Sequence, residues 1–119
     1  MGPSRGLEGV KQFEVWWAEL REPAGRRPVL LLSRNDAYNY LSKFVAAEIT
    51  SNIRQIASEV RLGEDEGLPM PCVVNCDNIR MIPKASLTKC AGELAPVRWV
   101  EVKRAVGAAL GWRELTDLD

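Results

Sequence analysis

The sequence predicts a mainly β fold, in which a curved antiparallel sheet or half-open barrel carries small helices and one C-terminal helix. Three observations support this fold class: short segments have strand-like apolar patterns, turns with Pro or Gly separate them, and one strong helical pattern closes the chain. The 119 residues suffice for about one domain. We expect a flexible segment at residues 1–12, a single domain at 13–112 and an acidic tail at 113–119.

The first predicted strand, residues 13–20, is rich in aromatic and β-branched residues. Both of its faces are apolar, so we expect a central strand that is covered on both sides. The adjacent Trp16 and Trp17 resemble a stacking platform for nucleic-acid bases, although packing in the core and in an interface is the commoner role of tryptophan. The strand ends in a turn at residues 21–26, which contains Pro23 and Gly25.

Further strands are predicted along the chain, at residues 28–32, 45–50, 58–62 and 72–82. Pro28 stands at the first position of one of these strands, where a missing N–H is tolerated. In the strand at 45–50, Glu48 and Thr50 share one face, which is therefore polar and accessible. The apolar pattern of the last strand changes phase near Asp77, which predicts a bulge or bend. Short strands or turns are expected at residues 86–87 and 92–94.

Helices are predicted at two places. Asn35 or Asp36 is a candidate cap for a short helix within residues 34–41. A longer helix is predicted from Pro96 to Leu110, with Gly111 as its stop signal. Its apolar stripe has helical spacing and consists of Trp99, Val102, Val106, Ala109 and Leu110. The acidic segment that follows is expected to be frayed.

The composition excludes several kinds of chemistry. The 16 basic and 16 acidic residues cancel, which argues against nonspecific coating of DNA but permits a local basic groove for a single strand. The absence of histidine excludes Ser–His and Cys–His dyads and most catalytic zinc sites. Cys72, Cys76 and Cys90 are interpreted as reduced structural thiols in a cytoplasmic protein. No metal, no cofactor and no membrane segment are expected.

Several segments together resemble a known family, and they are Glu-Val-Trp-Trp at 14–17, Arg-Pro-Val-Leu-Leu-Leu-Ser at 27–33, Val-Ala-Ala-Glu-Ile-Thr-Ser at 45–51, Gly-Leu-Pro at 67–69, residues 73–80 and residues 106–110. Their order and spacing are similar to those of the MazF/PemK/Kid toxins, the endoribonucleases of type II toxin–antitoxin pairs. The resemblance implies an SH3-like, CcdB/PemK-like barrel and a symmetric homodimer. It also implies a growth-inhibiting mRNA interferase that binds single-stranded RNA, and a cognate antitoxin whose C-terminal segment covers overlapping surface.

The same resemblance implies the catalytic pair, and the polar residues near that pair suggest further site residues. The family's catalytic arginine and threonine fall on Arg27 and Thr50, and Glu48 is a candidate supporting carboxylate. Candidates for contacts with RNA are Ser51, Asn52, Arg54, Gln55, Asn78 and Arg80. The chain departs from the family pattern in a shorter turn at 21–26, in Phe13 where a glycine is common, and in Asn78 where a glutamine is common.

These residues suit metal-independent cleavage, in which the RNA 2′-OH attacks the adjacent phosphorus and leaves a 2′,3′-cyclic phosphate. A guanidinium at Arg27 makes bidentate contacts with phosphate oxygens, and the Thr50 hydroxyl donates to the same oxygens. Arginine is a poor base, so the general base stays open. Two alternatives remain at this stage: a CcdB-like toxin that binds DNA gyrase without cutting RNA, and a catalytically silent binding module.

Overall fold

Six antiparallel strands form one sheet in the computed structural model, which describes residues 9–119. The strands are β1 Glu14–Glu19, β2 Arg26–Leu31, β3 Lys43–Thr50, β4 Glu59–Leu62, β5 Cys72–Pro83 and β6 Leu87–Glu93, in the sheet order β4–β5–β3–β2–β1–β6. The helices are α1 Ala37–Tyr40, α2 Trp99–Leu110 and α3 Arg113–Thr116, and short 3₁₀ turns occupy Glu64–Glu66, Lys84–Ser86 and Pro96–Arg98. The predicted mainly β fold with a C-terminal helix is confirmed.

The sheet curls until the segment after β4 meets β6, the strand at the opposite edge. At this meeting point Gly67 has a φ of 84°, and a Cβ added there would lie 1.9 Å from the carbonyl oxygen of Ala91. Only glycine fits, because the backbone is left-handed and the two chain segments are in close contact. The contact partly closes the curled sheet, which gives the expected half-open barrel.

The two faces of the sheet bury separate apolar clusters. Helix α2 covers the first cluster, which includes Val15, Leu30, Ile49, Val74, Val102 and Ala105. Helix α1 borders the second cluster, which includes Trp16, Val29, Leu31, Tyr38, Phe44 and Ile82. Strand β1 lies between β2 and β6 and contributes to both clusters, so the prediction of a central strand covered on both faces is confirmed.

The predicted bulge near Asp77 is present in β5. Ala47 pairs with Ile79, whereas the next residue of β3, Glu48, pairs with Asn75. Residues 76–78 are therefore extra on the β5 side of the ladder. The bulge changes the phase of β5, and Arg80 contacts Glu48 across the sheet.

Two strand boundaries differ from the prediction. β2 begins at Arg26 rather than Pro28, because its pairing with β1 continues as far as Glu19. Pro28 has no N–H to donate, and it is tolerated there because the paired ladder between β2 and β3 ends at Val29. The segments around 86–87 and 92–94 were expected to be separate, but they are joined by one strand, β6, because it pairs with β1 along its length.

Helix α2 follows a 3₁₀ turn at Pro96–Arg98 and ends at the predicted Gly111. Leu110, the last member of the predicted apolar stripe, is 50% exposed, whereas Val102 is buried and Val106 and Ala109 pack against the first cluster, to which Ala105 also contributes. The segment after α2 is not wholly frayed, because it forms α3. Gly107 permits this packing, since a Cβ there would lie 2.6 Å from the Cβ of Leu115.

An ion-pair network around the buried Glu66 attaches the start of α2 to β4. Arg98 donates hydrogen bonds to the carbonyl of Arg61 at 2.6 Å and to the carboxylates of Glu66 and Glu101 at 3.3 and 2.8 Å. The hydrogen bond between Arg98 and Glu101 raises the pKa of Arg98 and lowers that of Glu101. The network compensates the burial of Glu66, whose carboxylate also accepts the N–H of Gly63 at 2.7 Å.

The flexible segment expected at residues 1–12 lies largely outside the described residues, which begin at Gly9. Within the described part, Val10 is buried in the second cluster and the Gln12 N–H donates to Asn35 Oδ1 at 2.7 Å. Val10 and Gln12 thus make contacts with the folded domain, and the flexibility of the segment stays a prediction. No helix among residues 9–119 has the length and apolar character needed to cross a membrane.

Candidate active site

Arg27 and Thr50 lie on neighbouring strands at one end of the sheet. Val29 of β2 pairs with Glu48 of β3, and extending this antiparallel register by two residues places Arg27 opposite Thr50. Both side chains line a cavity of about 270 Å³, which we call the slot. The two residues that the sequence analysis paired are thus on the same side of the molecule and share a cavity.

One edge of the Arg27 guanidinium is held by the protein. Its Nε donates to the carbonyl oxygen of Ala24 at 3.2 Å and lies 3.9 Å from Glu48 Oε1. Within residues 9–119, the two terminal nitrogens of Arg27 donate to no protein group. They are therefore available for the two parallel hydrogen bonds that a guanidinium makes with a phosphate.

The Thr50 hydroxyl is oriented by the loop that follows β3. Its Oγ1 accepts a hydrogen bond from the N–H of Asn52 at 3.1 Å. A hydroxyl that accepts in this way keeps its own hydrogen for donation. Thr50 is half-buried at the border of the slot, so it can donate to an anion that Arg27 binds.

Glu48 lies between two arginines. The residue is only 7% exposed, so the predicted accessibility of the face that it shares with Thr50 is wrong at Glu48, and its Oε2 accepts a hydrogen bond from Arg80 Nη1 at 2.7 Å. Burial of this charge is compensated by Arg80 and, at longer range, by Arg27. A second cavity of about 530 Å³, which we call the cleft, is lined by Arg21, Glu22, Pro23, Ala24, Arg27, Glu48, Asn78 and Arg80. Arg27 therefore borders both the slot and the cleft.

The remaining predicted site residues divide into two groups. Ser51 lines the slot, and Asn78 lines the cleft. Asn52, Arg54 and Gln55 line neither cavity and are exposed. The loop that carries them is attached through its backbone, because the N–H groups of Arg54 and Gln55 both donate to Glu59 Oε1 at 3.0 Å.

The cysteines are free thiols, as predicted. Burial raises the pKa of Cys72, and burial together with the nearby Asp77 raises the pKa of Cys76 to about 12. These thiols are therefore protonated at neutral pH and do not act as thiolate nucleophiles. Within the described part of the chain, no group of three or more Cys, Asp or Glu side chains is placed to hold a metal ion.

The slot also contains residues that the sequence analysis did not assign to the site. It is lined by Arg26, Pro69 and Met70. Trp17, which was expected mainly to pack in the core or in an interface, lines it too. The alternation of β1 was the available signal for Trp17, because it places the two adjacent tryptophans on opposite faces. No local pattern connects Met70 to β2, since the curl of the sheet brings them together.

Comparisons with known proteins agree with this architecture. Residues 11–110 match the family model of the PemK-like, MazF-like toxins of type II toxin–antitoxin systems. The probable endoribonuclease MazF5 of Mycobacterium tuberculosis is 38% identical over 110 residues, which cover 91% of this chain and 93% of that protein. The structure of M. tuberculosis toxin MazF-mt6 is similar with a TM-score of 0.77 and 33% identity, over 82% of this chain and 96% of that chain.

A second solved structure is an endoribonuclease in complex with its cognate antitoxin from a mycobacterial species. It is similar to this chain with a TM-score of 0.75 and 27% identity, over 87% of this chain and 96% of that chain. These matches confirm the resemblance that the sequence segments indicated. The chain belongs to the PemK-like, MazF-like family of toxins of type II toxin–antitoxin systems.

Proposed function

We propose that this protein is a sequence-specific endoribonuclease that cleaves single-stranded RNA without a metal ion. The observation that carries the proposal is the slot that Arg27 and Thr50 both line, which holds a hydroxyl donor and guanidinium nitrogens that donate to no group among residues 9–119. The relatives named endoribonuclease support the same activity. They favour it over a CcdB-like toxin that binds gyrase, for which Arg27 and Thr50 would need no common cavity.

In the proposed reaction the RNA supplies its own nucleophile. The 2′-OH gives up its proton and attacks the adjacent phosphorus, and the bond from phosphorus to the 5′-oxygen breaks. The 5′-oxygen takes up a proton and leaves as a 5′-OH, and a 2′,3′-cyclic phosphate remains. The terminal nitrogens of Arg27 bind the non-bridging oxygens, whose negative charge increases as the pentacoordinate phosphorus forms. Thr50 donates its hydroxyl hydrogen to the same oxygens. Both groups are oriented before substrate binds, which avoids reorganisation during the reaction.

The residues around this pair would position the catalytic groups and the RNA strand. Glu48 acts as a positioning carboxylate, because its contacts with Arg27 and Arg80 hold two guanidinium groups at the cleft. Arg80, Asn78 and Ser51 line the two cavities and are proposed to contact RNA beside the cleaved phosphate. Asn52, Arg54 and Gln55 would contact only a strand that extends beyond both cavities.

The partners follow from the family. We propose that a cognate antitoxin neutralises the toxin by placing its C-terminal segment over the RNA-binding surface, and that the toxin acts as a homodimer in the cytoplasm. A mycobacterial relative has been solved with its cognate antitoxin, and so has a MazE–MazF pair of Deinococcus radiodurans that is 25% identical to this chain. The RNA groove would then involve both subunits of the dimer.

The proposal is tested by incubating the purified protein with a long natural RNA in EDTA and mapping the cleaved ends. We expect cleavage at a short recurring sequence, with a 2′,3′-cyclic phosphate on each upstream fragment. Arg27→Ala and Thr50→Ala should each lower the rate by about 10²- to 10³-fold, the usual effect of removing one oriented donor. The matched controls Arg113→Ala and Thr116→Ala change α3, outside both cavities, and should keep full activity.

Two results would count against the proposal. Equal rates for the Arg27→Ala variant and its Arg113→Ala control would remove Arg27 from the mechanism. Intact RNA in this assay, together with inhibition of DNA gyrase supercoiling, would support the CcdB-like alternative. A mapped sequence would also identify the bases that the site selects.

A further inference from the structure

Strand β4 is an edge of the sheet, and it pairs with β5 on one side only. The carbonyl oxygen of Ser58, just before β4, accepts the N–H of Cys76 at 2.9 Å. Residues along an antiparallel ladder alternate between hydrogen-bonded and non-hydrogen-bonded pairs, so the backbone groups of Glu59 and Arg61 point away from β5. These two residues therefore present four backbone groups to the outer side of the sheet.

Two of these four outer groups are occupied. The Glu59 N–H donates to the carbonyl oxygen of Ile56 at 3.0 Å, and the carbonyl oxygen of Arg61 accepts from Arg98 at 2.6 Å. The carbonyl of Glu59 and the N–H of Arg61 bond to no group among residues 9–119. An added parallel strand matches this open pair, because one of its residues would donate to Glu59 and accept from Arg61. An added antiparallel strand would meet one occupied group at each of the two residues.

A cavity of about 420 Å³, which we call the edge groove, lies between β4 and α2. Val60 of β4 and Ala105 and Ala108 of α2 line it with small apolar groups, and Val60 packs in the same cluster as Ala105. Side chains that lie beside each other on neighbouring strands share one face of the sheet. The residue next to Val60 on an added strand would therefore direct its side chain towards the two alanines, which leave room for a branched apolar group.

The charges of the edge groove favour an acidic segment. Its two carboxylates are already engaged, because Glu59 accepts two N–H groups of the preceding loop at 3.0 Å and Glu101 accepts two guanidinium N–H groups at 2.9 and 2.8 Å. Its two arginines, Arg61 and Arg104, have no carboxylate within ion-pair distance in the part of the chain that the structure describes. Arg61 is exposed, and Arg104 gives one hydrogen bond to a main-chain carbonyl of the C-terminal segment. Two positive charges therefore remain available to a partner.

We propose that the edge groove docks an extended acidic segment of a partner protein as a parallel strand beside β4. Main-chain hydrogen bonds to Glu59 and Arg61 supply affinity, as in other cases of strand addition to a sheet edge. Carboxylates beside Arg61 and Arg104, with an apolar side chain over the alanines, supply specificity. The edge groove shares no lining residue with the slot or the cleft. Docking there is therefore independent of the proposed RNA chemistry.

The test is an NMR titration of the isotope-labelled full-length protein with the capped peptide Asp-Val-Asp-Val-Asp-Val-Asp. The backbone amide signal of Arg61 should shift most, because its N–H gains a hydrogen bond. A peptide with Lys in place of each Asp should bind at least about fivefold more weakly, since two attractions become repulsions. N-methylation of the Val residues removes the N–H that donates to Glu59 and should weaken binding by roughly 2- to 12-fold. N-methylation of the Asp residues, whose N–H groups point away from β4, is the matched control.

Protein variants and a spin label test the charges and the direction of the strand. Arg61→Gln and Arg104→Gln should each weaken binding of the acidic peptide by roughly 1.5- to 5-fold, the effect of one exposed ion pair. Lys103→Gln is the matched control, because Lys103 is exposed on α2 and does not line the edge groove. A nitroxide at the C-terminus of a parallel strand should broaden the amide signal of Leu62 more than that of Ala57.

The outcomes separate this docking site from the RNA chemistry. An Arg61 amide signal that does not move at millimolar peptide, equal affinity for the acidic and basic peptides, or stronger broadening at Ala57 would each overturn the docking site. A bound peptide that inhibits RNA cleavage would also overturn it, because the peptide would then occupy the RNA-binding surface. The predicted shift, charge dependence and direction, with the cleavage rate unchanged, would establish the site. A protein that cuts no RNA would overturn the proposed function and leave these binding results intact.

Discussion

The buried carboxylate of Glu48 provides a test of how the candidate site is held together. The variant Glu48→Gln keeps the size of the side chain and one oxygen acceptor but removes the negative charge that two arginines share. In the wild-type protein the Glu48 carboxylate lies 2.7 Å from Arg80, which is a short contact. The distance from the carboxylate to Arg27 is 3.9 Å, and the side chain of Arg27 is 39% exposed. The first contact should therefore dominate the energetic effect.

The expected loss of stability follows from the type of hydrogen bond. A bond to a charged group contributes about 1.5–3 kcal/mol and a neutral one about 0.5–1.5 kcal/mol, so the amide should lower the free energy of unfolding by about 1–2 kcal/mol. A chain of 119 residues has an unfolding entropy of about 0.25 kcal/mol per kelvin. The Tm should therefore fall by about 4–8 °C.

The same variant should change the kinetics in a distinctive direction. Loss of the carboxylate leaves the positive charges of Arg27 and Arg80 less balanced at the cleft, so the KM for RNA should fall. RNA binding should also depend more steeply on salt, because the slope of log K against log salt concentration changes by about 0.7 for each positive charge gained. Arg27 also loses its electrostatic partner, and kcat should fall by about ten- to a hundredfold. Thermal melts and steady-state cleavage at several salt concentrations measure these effects.

The control for this prediction is Glu19→Gln, which neutralises an exposed glutamate of β1 that lines neither cavity. It should change the Tm by no more than about 2 °C, because exposed charges contribute little. A Glu48→Gln variant with the kcat, KM and Tm of the wild type would refute the idea that this carboxylate positions the arginines. A higher KM with an unchanged kcat would also contradict it, because that pattern indicates a lost direct contact with RNA.

Three further predictions concern the core and its charges. Phe13 has a φ of 69° and stacks on Trp99 with centroids 4.9 Å apart, so Phe13→Ala should cost about 3–5 kcal/mol in urea unfolding. Phe13→Gly should be about 1 kcal/mol more stable than Phe13→Ala, because glycine adopts this left-handed backbone without strain. A glycine variant less stable than the alanine variant would contradict the idea that the backbone at residue 13 is strained. Arg98→Met removes the ion-pair partner of buried Glu66, so the free energy of unfolding should fall by about 2 kcal/mol and the Tm by about 8 °C. An unchanged Tm would show that the ion-pair network adds nothing to stability. Burial raises the pKa of Cys76 from 9.0 to about 12, so the unfolded thiol ionises first and stability should fall as pH rises from about 9 towards 12. Urea midpoints across this range should fall less steeply for Cys76→Ala, and parallel curves for the two proteins would contradict the assignment.

Local pattern was sufficient for much of the fold. The apolar alternation of residues 13–20, the change of phase near Asp77 and the glycine stop at Gly111 each depend on a few neighbouring residues, and the structure contains all three features. Errors occurred where a partner decides the outcome. Strand β6 is continuous because β1 pairs with it, and Leu110 is exposed because α2 rests on the sheet through Val102 and Ala105.

The candidate site shows the same division. The sequence alone placed Arg27 at the start of one predicted strand and Thr50 at the end of another, and the resemblance to the MazF/PemK/Kid toxins paired these two residues. Only the tertiary structure decided that Glu48 meets Arg80, which lies 32 residues away, and that Met70 and Trp17 line the same slot. These contacts depend on the bulge of β5 and on the curl of the sheet. The local pattern predicted the bulge but not the residues that it aligns across the sheet, because that alignment and the curl arise from the packing of whole strands, which no short stretch of sequence encodes.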